Sequence, residues 1–147
     1  AFDIELDVKP YLMMVTDVYF AEQTALDPFS DVIQIIGRFR NGVTSIEHIT
    51  NVNYDLPQRS EEELCSFMDT SENVYETLRK FYDAAPNKGA REAYRAAMES
   101  LPFNRMLDRN GHKNWFAIDN YVNDALVIGY YHDNKSLHAA YLHHVGY

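Results

Sequence analysis

Two short runs of strand-forming residues flank one helical segment in the first third of the chain, and the signals after about residue 58 are helical. Tyr11–Thr16 (Tyr-Leu-Met-Met-Val-Thr) is an apolar run of strand length and predicts a buried strand. Val43–Thr50 alternates in part and predicts a second strand. Between them Ser30 stands where it can cap a helix that begins at Asp31 and runs through Val32, Ile33, Gln34, Ile35 and Ile36 to Arg40. Asn41-Gly42 can end that helix, with Gly42 taking the left-handed conformation. Strand, helix, strand is the unit that usually makes a right-handed parallel crossover. The expected fold is therefore α/β: a parallel sheet of few strands in residues 1–57, then a mainly helical extension over 58–147.

The extension is read from its caps and breakers. Ser60-Glu-Glu-Glu63 has the form of a capping box, with an acidic first turn that suits the helix dipole. Ser71 is expected to cap a second helix through Val74, Leu78, Phe81 and Tyr82, which stops before Pro86. Asn87-Lys88-Gly89 is expected to be a loop, and a third helix to run from about Ala90 to Leu101, closed by Pro102. Asn110-Gly111 predicts a turn. Residues Ile118 to Tyr131 predict an apolar helix, and Ser136 is expected to cap the last one.

Length and composition exclude several classes. The 147 residues are enough to bury a core, and 46% hydrophobic with 24% charged residues is an ordinary globular balance. No apolar run approaches the ~18–20 residues of a membrane span. Ala1-Phe2-Asp3-Ile4-Glu5 has no basic region and is not expected to be a secretory signal. One cysteine, Cys65, excludes an internal disulfide framework and fits a reducing, cytoplasmic setting. The net charge is −9, unevenly spread: −11 over residues 1–78, +4 over 79–113 and −2 over 114–147. Arg79, Lys80, Lys88, Arg91, Arg95, Arg105, Arg109 and Lys113 make the middle stretch basic. It either touches phosphates or is a solvated helix face balanced by Asp83, Glu92, Glu99 and Asp108.

The stretch Gln34-Ile-Ile-Gly37-Arg38-Phe39-Arg40 carries the strongest chemical signal. Two arginines one residue apart at a helix end are costly to bury and call for an anionic partner. A planar guanidinium suits a phosphate, which it can grip with two hydrogen bonds. Gly37 would allow a close approach by backbone or ligand, and Gln34 lies on nearly the same helix face. The stretch resembles motif VI of the superfamily 2 helicases, commonly written Q-x-x-G-R-x-x-R. Where the last family arginine usually stands this chain has Asn41, with Arg40 one position earlier. Phe2-Asp3-Ile4 resembles the end of motif V, G-x-D-I. The order of motif V end, strand, motif VI helix and strand is that of the second RecA-like domain of the family, and the resemblance covers roughly residues 1–52. It implies a partial RecA-like sheet in which Arg38 and Arg40 are arginine fingers reaching the γ-phosphate of ATP. It further implies that Gln34 and Gly37 lie at the nucleotide cleft, and that Asp3 couples nucleotide state to the nucleic-acid strand.

No G-x-x-x-x-G-K-[ST] loop and no D-E-x-[DH] element is present, so the chain has no phosphate cradle and no Mg²⁺-holding acid of that type. The resemblance thus implies a fragment that holds only the finger half of an ATP site. Mg²⁺ would be held by the missing half, and the isolated chain is expected neither to hydrolyse ATP nor to unwind duplex. The implied partners are nucleic acid and the remaining helicase domains, with no membrane. A sheet cut short exposes an edge, which a homodimer would cover. The alternative is a small acidic interaction module of immunity or inhibitor type, whose acidic segment would meet a basic partner.

Other constellations weigh less. His132, His138, His143 and His144 raise a metal site, but the spacing of five from 138 to 143 does not stack two rings on one helix face, and no metal is expected. Cys65, between Leu64 and Phe67, is expected to be a buried thiol rather than a nucleophile. Trp115, Phe116, Tyr121, Tyr130, Tyr131 and Tyr141 could stack bases, but their spacing suits a helix core.

Overall fold

The computed structural model describes residues 3–146. It forms two compact units. One contains the residues up to Gln58 together with those from Leu126 onward; the other is Arg59–Ala125. The 58–147 segment is therefore not one unit, because its last residues group with the strands.

In the first unit, strand β1 (Tyr11–Val15) and strand β2 (Ser45–Ile49) pair in parallel, with Tyr11 opposite Ser45 and Val15 opposite Ile49. Helix α1 (Asp31–Gly37) lies between them in sequence, so the strand–helix–strand crossover is present. Thr44 N–H to Pro10 C=O (2.8 Å) and Thr16 N–H to Ile49 C=O (3.0 Å) extend the ladder at its two ends. β1 is not buried on both faces: Met14 is buried and Leu12 half-buried, whereas Tyr11, Met13 and Val15 are exposed. The strand period of two sends alternate side chains to opposite faces, and among the described residues only one face has a cover.

α1 stops three residues earlier than expected, at Gly37, and the chain bends through Arg38–Asn41 to Gly42, whose φ is +73°. Ser30 does not cap it. Its own backbone is helical, and its Oγ donates to Asp27 Oδ2 at 2.8 Å. Asp27 organises this entry instead. Its Oδ1 accepts the Phe29 N–H, its carbonyl accepts those of Asp31 and Val32, and its own N–H reaches Asp31 Oδ2. Asp-Pro at 27–28 is a turn starter that supplies a side-chain acceptor two residues on, and this outcompetes the serine.

Helix α5 (Asn134–His144) closes this unit. Asp133, not Ser136, is its cap, accepting the Ser136 N–H at 2.7 Å. The core is Val18, Leu56, Val127, Tyr131 and Leu137. Tyr131 has no exposed surface, and its phenol donates to Leu26 C=O (2.9 Å) and accepts the Leu26 N–H (3.0 Å). A buried hydroxyl satisfied in both roles costs little to bury.

In the second unit, helix α2 (Glu61–Asp83) begins at the Ser60–Glu63 capping box, with both reciprocal bonds present. It continues unbroken through Ser71, which therefore starts no second helix. The hydroxyl of Ser71 is buried and accepts the Phe103 N–H at 3.1 Å, a tertiary bond that makes a mid-helix serine tolerable. Helix α3 (Lys88–Ser100) follows a cap by Asn87, which accepts the Ala90 N–H, so Asn87-Lys88-Gly89 is a helix start rather than a loop. Pro102–Met106 is a 3₁₀ turn. Gly111 takes φ +79° in the expected turn. Helix α4 (Trp115–Tyr130), whose residues from Leu126 onward belong to the first unit, begins three residues before the expected Ile118, with Asn114 accepting the Ala117 N–H. The core of this unit is Met68, Phe103, Met106 and Ile118. No helix among the described residues is long and apolar enough to cross a membrane.

Candidate functional site

The bend after α1 is fastened to the segment before β1. Ile4 and Phe39 form a parallel bridge, with Ile4 N–H to Arg38 C=O at 2.7 Å and Arg40 N–H to Ile4 C=O at 3.1 Å. Asn41 Nδ2 donates to Leu6 C=O (2.9 Å), and Thr44 Oγ1 to Lys9 C=O (2.8 Å). These bonds hold the arginine segment in a turn, with Arg38 still helical (φ −69°, ψ −24°) and Phe39 bridged to Ile4, where α1 ends. The guanidinium of Arg40 reaches Asp3, Nε and Nη2 both donating to Oδ2 at 3.0 and 2.8 Å. The two side chains are 62% and 47% exposed, so the pair is solvent-screened and contributes about 0–1 kcal/mol. Arg38 is half-buried and forms no ion pair among the described residues. Gln34 and Gly37 are exposed. Among the described residues a Cβ on Gly37 would meet nothing within 4 Å, so none of them uses the close approach a glycine permits. Asp3, Arg38 and Arg40 thus come to one place; Phe2, which precedes the D-I element, lies outside the described residues.

A second constellation was not anticipated. His48 on β2 faces the covered side of the sheet. Its Nδ1 meets the Tyr141 hydroxyl at 2.5 Å, and its Nε2 meets Thr16 Oγ1 at 2.9 Å. Thr16 Oγ1 donates to Thr50 Oγ1 (2.7 Å), and Thr50 Oγ1 donates to the Asn51 carbonyl (3.2 Å). Donor counting then fixes the imidazole. Thr16 has spent its proton on Thr50, so it accepts from His48 Nε2–H, and Nδ1 accepts from Tyr141. In the neutral ring the proton therefore sits on Nε2. Burial acts in the same sense, holding the His48 pKa below its ordinary value and pushing the Tyr141 phenol up to about 12. Tyr131 stands edge-on to the same imidazole with ring centroids 6.3 Å apart, and burial raises its pKa too. Below this network lies a cavity of about 360 Å³ between the sheet, α1 and α5. The signal for His48 was its alternation with Ile46 and Thr50 in Val43–Thr50, which places all three on one face.

The remaining candidates fall apart. Cys65 is exposed, not buried, on α2. Trp115 and Phe116 are 64% and 74% exposed at the start of α4, and are not core. Tyr131 is buried, whereas Tyr121, Tyr130 and Tyr141 are half-buried. Among the described residues no three His, Cys, Asp or Glu side chains converge on a possible metal position. His132 instead bonds the Leu56 carbonyl at 2.8 Å through Nδ1. In the basic stretch, Arg91 and Arg95 lie over the Tyr82 ring (5.6 and 5.5 Å to its centroid), and Arg95 also donates to its hydroxyl.

Comparison with family models, with curated proteins and with solved structures finds no match to this chain.

Proposed function

We propose that the chain is the C-terminal part of the second RecA-like domain of an ATP-dependent superfamily 2 DNA or RNA helicase, joined to a helical extension. The observation that carries this reading is the meeting of its two motif-like segments. The D-I element (Asp3, Ile4) lies alongside the G-R-x-R element (Arg38, Arg40), bridged through Ile4 and Phe39 and tied by the Arg40–Asp3 pair. The parallel β1–α1–β2 crossover supports the same reading. The residues present fit a phosphate. Arg38 carries a guanidinium without a carboxylate partner among the described residues, and Arg40 is exposed and held through one oxygen, so an anion can compete for it. In this reading Arg38 and Arg40 stabilise charge that develops on the γ-phosphoryl group, with Gln34 and Gly37 beside them, and Mg²⁺ and the phosphate cradle belong to another part of the enzyme. In the complete enzyme Arg38→Ala should lower kcat for ATP by roughly 10³-fold or more. Unchanged turnover would sink the assignment.

The exposed apolar face of the sheet, with Tyr11, Met13, Val15 and Ile49, favours a second reading, an acidic interaction module that covers this face with another protein. A homodimer through the same face or edge is the simplest form of it. The two readings separate on one point: a module gains no ATPase partner domain, and its binding is indifferent to Arg38.

A further inference from the structure

We propose that the cavity under the sheet is a binding site for a small uncharged molecule, mostly apolar and carrying one amide-like hydrogen-bonding edge. This site is separate from the arginine segment and does not rest on the helicase reading. Its volume, about 360 Å³, lies in the range of pockets that hold small ligands, roughly 300–1,000 Å³. Met14, Val32, Ile46, Leu137 and Val145 form apolar walls. Among the described residues the polar lining is His48, Thr50, Asn134, His138 and Tyr141, with no carboxylate, lysine or arginine. A buried charge on a ligand would therefore find no counter-charge there, which selects neutral molecules.

The polar groups divide into two kinds. His48, Tyr141 and Thr50 are committed to one another and to Thr16, so they present a closed floor. Asn134 and His138, one turn apart on α5, line the same cavity and are exposed, and their side chains make no hydrogen bond among the described residues. The Asn134 amide offers a donor beside an acceptor, and the His138 ring offers one of each. An amide edge on a ligand matches that pair, while its apolar body meets the five hydrocarbon walls. The place in the fold agrees. His48, Thr50 and Thr16 sit at the carboxyl ends of two parallel strands, where open α/β sheets bind ligands.

The test is titration of the whole chain with benzamide, followed by backbone amide shifts in ¹⁵N NMR. Saturable shifts at Ile46, His48, Thr50, Leu137 and Val145 are expected, with a Kd of about 1 mM or tighter. Benzoate, of the same shape but charged, should bind at least about tenfold more weakly. Val145→Trp, which fills the cavity from the position just after α5, should abolish the shifts. The double variant Asn134→Ala, His138→Ala, whose exposed positions leave the core intact, should weaken binding at least about fivefold. No saturable shift at about 10 mM benzamide, a level that would reveal even weak binding, would overturn the proposal. So would binding that Val145→Trp leaves unchanged, benzoate binding as tightly as benzamide, or indifference to the double variant.

Discussion

His48 and Tyr141, 93 residues apart in sequence, share a 2.5 Å hydrogen bond that joins the second strand to the last helix. The bond joins two ends of the first unit, and its donor and acceptor roles follow from the threonine chain on the other ring nitrogen. Tyr141→Phe removes the donor and leaves a part-buried imidazole nitrogen without a partner. A loss of about 1–2 kcal/mol in urea unfolding is expected. A variant as stable as the parent would mean that the bond is not formed in solution.

The same imidazole makes stability depend on pH. Burial lowers its folded-state pKa below the ordinary 6.5, so the unfolded chain binds the proton more readily. The stabilising contribution is therefore fully present above about pH 6.5 and is lost as pH falls below that value towards the folded pKa. The groups facing the ring, Tyr141, Tyr131, Thr16 and Thr50, do not titrate in that window. The pH dependence of the urea midpoint between pH 7 and 5 should flatten in His48→Gln. An identical slope in the variant would assign the effect to another group.

Ser71→Ala should destabilise the second unit by about 1–3 kcal/mol, because it orphans the buried N–H of Phe103. Ser60→Ala should cost about 1 kcal/mol through loss of the α2 cap. Thermal unfolding of both variants distinguishes the two mechanisms. Replacing Ser71 by Thr keeps the hydroxyl and should restore part of the loss, whereas Ser60→Asp should restore nearly all of it.

The Arg40–Asp3 pair predicts a separation of stability from activity. Asp3→Ala and Arg40→Ala each remove an exposed ion pair and should change unfolding free energy by about 1 kcal/mol at most. On the proposed helicase reading, Arg40→Ala in the full-length protein should nonetheless reduce ATP turnover strongly. A variant that loses activity only in proportion to its loss of folded protein would mark Arg40 as structural.

Local chemistry was legible in the sequence where a single residue type decides the backbone. The capping box at Ser60–Glu63, the left-handed Gly42 and Gly111, and the crossover of Tyr11–Val15 with Ser45–Ile49 all follow from short-range rules. Short-range cap rules fail where two candidates lie within a few residues: Asp27 takes up the Ser30 hydroxyl, and Asp133 caps α5 in place of Ser136. Ser71 looked like a cap because its partner, the Phe103 N–H, lies 32 residues away. The exposure of Cys65, Trp115 and Phe116 likewise depends on which helix face finds a neighbour, a non-local outcome. Of the arginine segment, the residues were visible in the sequence, but the fastening of Arg38–Thr44 to Ile4–Lys9 was not. The His48–Tyr141 network spans the chain and left only the strand alternation as a hint.

The most direct test of the helicase assignment is the coding DNA immediately upstream of the Ala1 codon in the source genome. The account predicts an open frame running back through a G-x-D-I segment, a D-E-x-H element and a G-K-[ST] loop, which supply the cradle and Mg²⁺ site that Arg38 and Arg40 would serve. A start codon directly before Ala1, with no such frame behind it, would contradict the assignment and favour the interaction module.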